Sequence, residues 1–352
     1  MNKFEKIIAS IVPPDLSIEK GALARQARLT KPKGSLGRLE ALSAHIAAIQ
    51  RKPEPVAEPG VVFVMAADHG VCAEGVSAYP QEVTAQMVMN FVVGGAAINV
   101  LSRFAGARVV VADMGIAANL SSSLPIYHKK IAMGTHNMAV GPAMSRKEAI
   151  LSIETGINIF EEELSRAPFA IAATGDMGIG NTTASAAIAA VLTSVCPKAI
   201  VGRGTGIDDN TLARKIQVIE TAIDLNKPDP NDGLDVLSKV GGFEIGAIAG
   251  VILAAAAHRI PVIIDGYISG AAALLANSLA PLSREYMIAS HLSADAGHTA
   301  MLEDLELEPL LDLGMRLGEG TGAVLAMMLC AASCRILNEM ATFETAGVTN
   351  GK

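Results

Sequence analysis

Five short apolar runs constrain this chain more than any other feature, because each ends at an acid or a histidine. They are VVFVMAA (61–67) before Asp68, RVVVA (108–112) before Asp113, FAIAATG (169–175) before Asp176, PVII (261–264) before Asp265, and YMIAS (286–290) before His291. The runs are continuous rather than alternating, as expected of strands buried on both faces. Helical stretches separate them, at about 80–104, 146–165, 181–194, 208–224, 243–257 and 267–279. Such alternation predicts right-handed βαβ units and an α/β fold with a Rossmann-like, mostly parallel sheet flanked by helices. In open sheets of this kind ligands bind outside the carboxyl ends of the strands, so the residues just after each run are where chemistry is expected.

Composition narrows the function classes. At 352 residues, 51% apolar and 18% charged, the chain can bury a large core, and its length suits about two domains. The net charge is −7, aromatic residues make up 3% and Trp is absent, which argues against nucleic acid as a partner. Mean hydropathy is +0.39. The apolar stretches 245–257 and 322–334 have 13 residues each, short of the ~20 that a bilayer span takes. The longer uncharged stretch 177–197 is interrupted by Gly178, Gly180, Asn181, Thr182, Thr183 and Ser185, so no membrane span is expected. The N-terminus, MNKFEKIIASIVPPD, lacks a long apolar region of the secretory type. Cys72, Cys196, Cys330 and Cys334 are too scattered for a disulfide framework, and no metal-ligand spacing accompanies them.

The chain ends read as helical. Ser17 is placed to cap a helix running to about Leu29, KPKGSLGRLE (31–40) leads into a second helix, and PEPVAEPG (53–60) is a linker by composition. Met301 to Leu311 is acidic and leucine-rich, and a helix follows to about Ala341. The pattern suggests a small helical domain from residues 1–60 and 301–352 beside a large domain, 61–300, that carries the site.

Three glycine-rich segments stand out. DMGIGNTT (176–183) follows a strand and opens a helix, so its backbone can approach a ligand and the helix N-terminus favours an anion. VGRGTGIDD (201–209) is a second such turn, with Arg203 and, in the following helix, Lys215 able to reach a phosphate. GEGTGA (318–323) sets Glu319 between two glycines at a helix start; it is a first-turn acid or, if burial raises its pKa, a general base. Asp68, His69, Asp113, His291, Asp295 and His298 read as a buried hydrogen-bonded network rather than a metal site. Asp265 before GYISG has more site character, and Gln86 could contact a planar heterocycle.

Taken in order, KPKGSLGRLE, AADHGV, GDMGIGNTT, GRGTG, IIDG, SHLSAD and GEGTGA resemble the nicotinate-nucleotide–dimethylbenzimidazole phosphoribosyltransferase family, from about Leu16 to Ala341. The resemblance implies transfer of the 5-phosphoribosyl group of β-nicotinate mononucleotide to 5,6-dimethylbenzimidazole. Inversion at C1′ would yield α-ribazole 5′-phosphate and nicotinate for cobalamin lower-ligand assembly. It implies Glu319 as general base and Asp176 as a supporting carboxylate, at a position where the family commonly has Glu. It implies substrate contacts at Gly178, Asn181, Thr182, Thr183, Gly204, Lys215, Ser293, Arg316, Leu317 and Gly318, with Asp265 and Gln86 close to the base. It further implies a cytoplasmic homodimer that needs no metal or other cofactor. Two other readings stand beside it. A nucleotide-dependent α/β oxidoreductase would need a GxGxxG turn after the first strand, where this chain has DHGV. A non-catalytic nucleotide sensor would leave Glu319 as a helix-start acid.

Overall fold

The computed structural model describes residues 3–202, 206 and 208–349. The strands are β1 (Gly60–Ala67), β2 (Arg108–Gly115), β3 (Tyr127–His128), β4 (Ile171–Met177), β5 (Val262–Ile264) and β6 (Met287–Ala289). They form one sheet in the order β3-β2-β1-β4-β5-β6 with every pairing parallel. This is a doubly wound order whose direction reverses between β1 and β4, so a crevice opens there at the carboxyl ends. The α/β reading and the five apolar runs are borne out. The two-residue edge strand β3 is an addition, too short to leave a hydropathy pattern.

The helices of the first half are α1 (Lys3–Ser10), α2 (Leu16–Gln26), α3 (Arg38–Gln50), α4 (Val83–Val93), α5 (Ala97–Ala105), α6 (Arg146–Arg166) and α7 (Asn181–Thr193). Those of the second half are α8 (Pro197–Ile200), α9 (Asp209–Asn226), α10 (Gly233–Val240), α11 (Phe243–Ala257), α12 (Tyr267–Leu279), α13 (His298–Asp304), α14 (Thr321–Glu339) and α15 (Phe343–Ala346). Two expectations change. The helix expected over 80–104 is two helices, because Gly94 adopts φ of 80° and ends α4. The cap of α2 is Asp15, whose carboxylate accepts the N–H groups of Ser17 and Ile18.

The sheet is buried on both sides, and β1 shows how. Val61, Phe63, Met65 and Ala67 join the core beneath α6 and α11. Val62, Val64 and Ala66 join the opposite core with Ile46 of α3, Val88 of α4, Ile98 of α5 and Ala323 of α14. The alternation of strand side chains therefore feeds two apolar layers from one continuous run. Stretches 83–105 and 321–339 are apolar and long enough to cross a membrane. The first is the broken α4–α5 pair, and the second is α14, which lies on the sheet as a core helix. A smaller cluster, Ala22, Ala44, Ala47 and Leu337, ties α2 and α3 to the far end of α14.

Candidate active site

A cavity of about 620 Å³ sits at the carboxyl ends of the strands, beside the β1/β4 reversal. Its wall includes Asp176, Gly178, Asn181, Thr182, Ser293, Arg316, Leu317, Gly318 and Glu319. Nine of the residues put forward from sequence as catalytic or substrate-binding thus meet in one place.

Glu319 stands on a turn with unusual backbone. Gly318, Glu319 and Gly320 have φ of 82°, 63° and 92°. The left-handed region favours glycine and is strained for a glutamate, which marks a position held by its surroundings. The turn lies directly on β4, since a Cβ at Gly175 would come within 2.6 Å of the Glu319 carbonyl oxygen. The Glu319 carboxyl is buried, and its Oε2 has no hydrogen-bond partner among the described residues. Burial pushes its pKa up, while the backbone of Ile98 pulls it partly back.

Asp176, the last but one residue of β4, packs beside this turn, where a Cβ at Gly318 would lie 3.2 Å from its Oδ1, and its Oδ2 accepts a hydrogen bond from Asn181 Nδ2 at 3.0 Å. Burial raises its pKa well above the usual carboxylate range, and Asp265, Glu244 and Glu319 add repulsion. Asp176 and Glu319 line the cavity, while Asp265 and Glu244 lie buried behind its wall; a cationic guest would draw the two lining carboxyls toward their charged forms.

The 178–181 turn is clamped from behind. Ile179 N–H donates to Thr84 Oγ1 at 3.0 Å, and the Cys72 thiol donates to the Ile179 carbonyl at 3.1 Å. A Cβ at Gly178 would lie 2.3 Å from the Ala67 carbonyl oxygen, so only glycine allows this approach to β1. His69 Nε2 meets Glu244 Oε1 at 2.5 Å beneath the turn. Burial disfavours the charged imidazole, but the Glu244 carboxylate outweighs it and the His69 pKa rises. Asp68 accepts the Ala117 N–H, and Asp113 accepts those of Gly115 and Ile116. Among the described residues no group of three or more His, Cys, Asp or Glu is placed to hold a metal.

Other residues lie behind or beside the wall. Lys215 is buried and donates from Nζ to Thr182 Oγ1 at 2.7 Å. Burial lowers its pKa to about 8, with Asp295 opposing the shift. Thr183 is buried inside α7. Asp265 is buried behind Gly266, where Oδ2 accepts the Gly320 N–H at 3.1 Å and Oδ1 the Ala323 N–H at 2.9 Å. Gln86 is exposed on α4, which turns Val83 and Met87 toward the cavity instead. Gly204 and Arg203 lie outside the described residues. The sequence reading did not assign Tyr79, Val83, Ile179, Tyr267, Ile268 or His291 to the wall. Most of them are apolar, so they give no local sign separating pocket lining from core.

The sequence matches the family model described as "Phosphoribosyltransferase" over residues 11–348. A nicotinate-nucleotide–dimethylbenzimidazole phosphoribosyltransferase from Roseiflexus sp. (strain RS-1) is 58% identical over 349 residues, 99% of each chain. The enzyme of the same name from Desulforudis audaxviator (strain MP104C) is 57% identical over 352 residues, 100% of this chain and 99% of that one. The crystal structure of CobT from Thermus thermophilus matches with a TM-score of 0.92 at 46% identity, covering 95% of this chain and 100% of that one.

Proposed function

The chain belongs to the nicotinate-nucleotide–dimethylbenzimidazole phosphoribosyltransferases, pentosyltransferases of cobalamin biosynthesis, and from that membership we propose a single-base inverting transfer at the cavity. The substrates are β-nicotinate mononucleotide and 5,6-dimethylbenzimidazole. Glu319 takes the azole N–H proton. The other ring nitrogen attacks C1′ from the face opposite nicotinate. The C1′–N bond to the pyridinium breaks, and its electron pair returns to the ring nitrogen. Nicotinate leaves without needing a proton, the configuration at C1′ inverts, and α-ribazole 5′-phosphate forms.

One observation carries this reading: the buried Glu319 carboxyl, with one oxygen unpartnered among the described residues, shares a cavity with the Asp176–Asn181 turn. A base needs a pKa raised toward neutrality and a proton donor within reach, and burial supplies the first. The neighbouring carboxyl groups suit the positive charge that develops on the sugar as the bond to nicotinate loosens. The 5′-phosphate is placed at the 178–183 turn with Lys215, a helix start with a buried cation behind it. Asp265 acts through the Glu319 turn, and Gln86 stays near the rim on α4.

The proposal includes a cytoplasmic homodimer and a division of labour between the chain ends and the middle. Supporting a dimer, Met89 and Val93 on α4 and Val100 and Phe104 on α5 are exposed at helical spacing. Supporting the division, α2, α3 and the far end of α14 share their own apolar cluster. The deciding experiment incubates the protein with nicotinate mononucleotide and dimethylbenzimidazole and identifies products by mass and anomeric configuration. The α-anomer with release of nicotinate is expected; a β-anomer or no nicotinate would overturn the mechanism.

A further inference from the structure

We propose that His291 is a specificity-determining residue whose Nε2 accepts a hydrogen bond from a ribose hydroxyl of the nucleotide. The inference rests on the site reading above and concerns a side chain to which the transfer assigns no role.

The tautomer follows from counting protons. Ser290 Oγ lies 2.7 Å from the carbonyl oxygen of Asp265, which can only accept, so the single hydroxyl proton is on that bond. The same Oγ lies 2.9 Å from His291 Nδ1. With its proton used, the hydroxyl accepts there, and Nδ1 must carry hydrogen. Burial disfavours a second proton on the ring, which leaves Nε2 bare. Nε2 makes no hydrogen bond among the described residues, although the side chain is buried and lines the cavity.

The ring is also held in place. A Cβ at Gly322 would lie 2.0 Å from Nδ1, and one at Gly266 would lie 3.3 Å from Cε1. Two glycines, one just before α12 and one in the first turn of α14, thus make room for this imidazole. The edge that bears the acceptor is then set by the protein before any ligand arrives.

The substrates offer few donors to a buried acceptor. Dimethylbenzimidazole has one N–H, which Glu319 takes. The nicotinyl group has none with its carboxyl ionised, and the 5′-phosphate is mostly a dianion at neutral pH. The ribose hydroxyls remain.

The test compares nicotinate mononucleotide with its 2′-deoxy and 3′-deoxy analogues on wild type, His291→Ala and His291→Gln. Against one of the two analogues, wild type should lose roughly tenfold in kcat/KM beyond any loss seen with His291→Ala. His291→Gln, which offers an amide oxygen near the Nε2 position, should recover part of that discrimination. Equal discrimination by all three proteins would overturn the inference. Nitrogen NMR of histidine-labelled wild type reads the tautomer without substitution or turnover: a bare Nε2 is expected, and a protonated Nε2 overturns the inference even if a variant fails to fold. Failure of wild type to form α-ribazole 5′-phosphate would instead remove the reaction, and the NMR result would still judge the acceptor.

Discussion

Asp265 and Gly320 are joined by a 3.1 Å hydrogen bond from the glycine N–H to the carboxylate Oδ2. With the second bond, from the Ala323 N–H, Asp265 satisfies two of the first free N–H groups of α14 from the end of a different strand. Glu319 immediately precedes this anchored turn. The candidate base is therefore positioned by β5 from below and by β4 alongside, which is how a glutamate is kept at φ of 63°. Burial raises the Asp265 pKa to about 7, opposed by these same N–H donors.

Glu319→Gln keeps size and polarity and removes the proton acceptor. We expect near-unchanged nucleotide binding by calorimetry and a fall in kcat of about 10²- to 10⁴-fold. Unchanged turnover would remove Glu319 from the mechanism.

Lys215→Ala deletes the buried cation behind Thr182. The KM for nicotinate mononucleotide should rise on the order of tenfold or more, with that for dimethylbenzimidazole moving far less. Equal rises in both would contradict a phosphate role.

The same lysine predicts a pH dependence. With its pKa lowered to about 8, Lys215 in the free protein is charged below that pH and neutral above it. Phosphate binding needs the ammonium, so nucleotide affinity should fall as pH rises through about 8. The KM for the nucleotide, followed from about pH 7 to about 9.5, should climb in wild type and stay flatter in Lys215→Arg, whose charge persists. Identical profiles would count against the assignment.

Gly175→Ala tests the contact that seats the Glu319 turn. The new Cβ would meet the Glu319 carbonyl oxygen at 2.6 Å and the Gly320 nitrogen at 2.9 Å, both backbone atoms. Thermal unfolding should report a loss of about 1–3 kcal/mol. Turnover should fall on the order of 10- to 100-fold as the carboxyl moves off position. A stable, fully active variant would show that the turn tolerates displacement.

Thr84→Val removes the acceptor for the Ile179 N–H and keeps the side-chain shape. A buried N–H left unpaired costs about 1–3 kcal/mol. The expected kinetic mark is a raised KM for the nucleotide, restored by Thr84→Ser. Unaltered nucleotide KM in the valine variant would mean that the clamp does not shape the turn.

Much of this was legible in the amino-acid order. Five buried strands appeared as apolar runs, and three glycine-rich segments lay where helices open. Asp176, Asp265 and Glu319 stood out by position alone, because strand burial and turn chemistry are local properties of a chain. The strand order was not legible, since a buried parallel strand carries little record of its neighbours. Nor was the pairing of His69 with Glu244, 175 residues apart, or the seat of Asp265 under α14. Those depend on which strand ends meet at the β1/β4 reversal, and long-range packing of the two apolar layers decides that. Sequence thus determined which groups could do chemistry, while the tertiary structure decided which of them face the cavity and which hold the others in place.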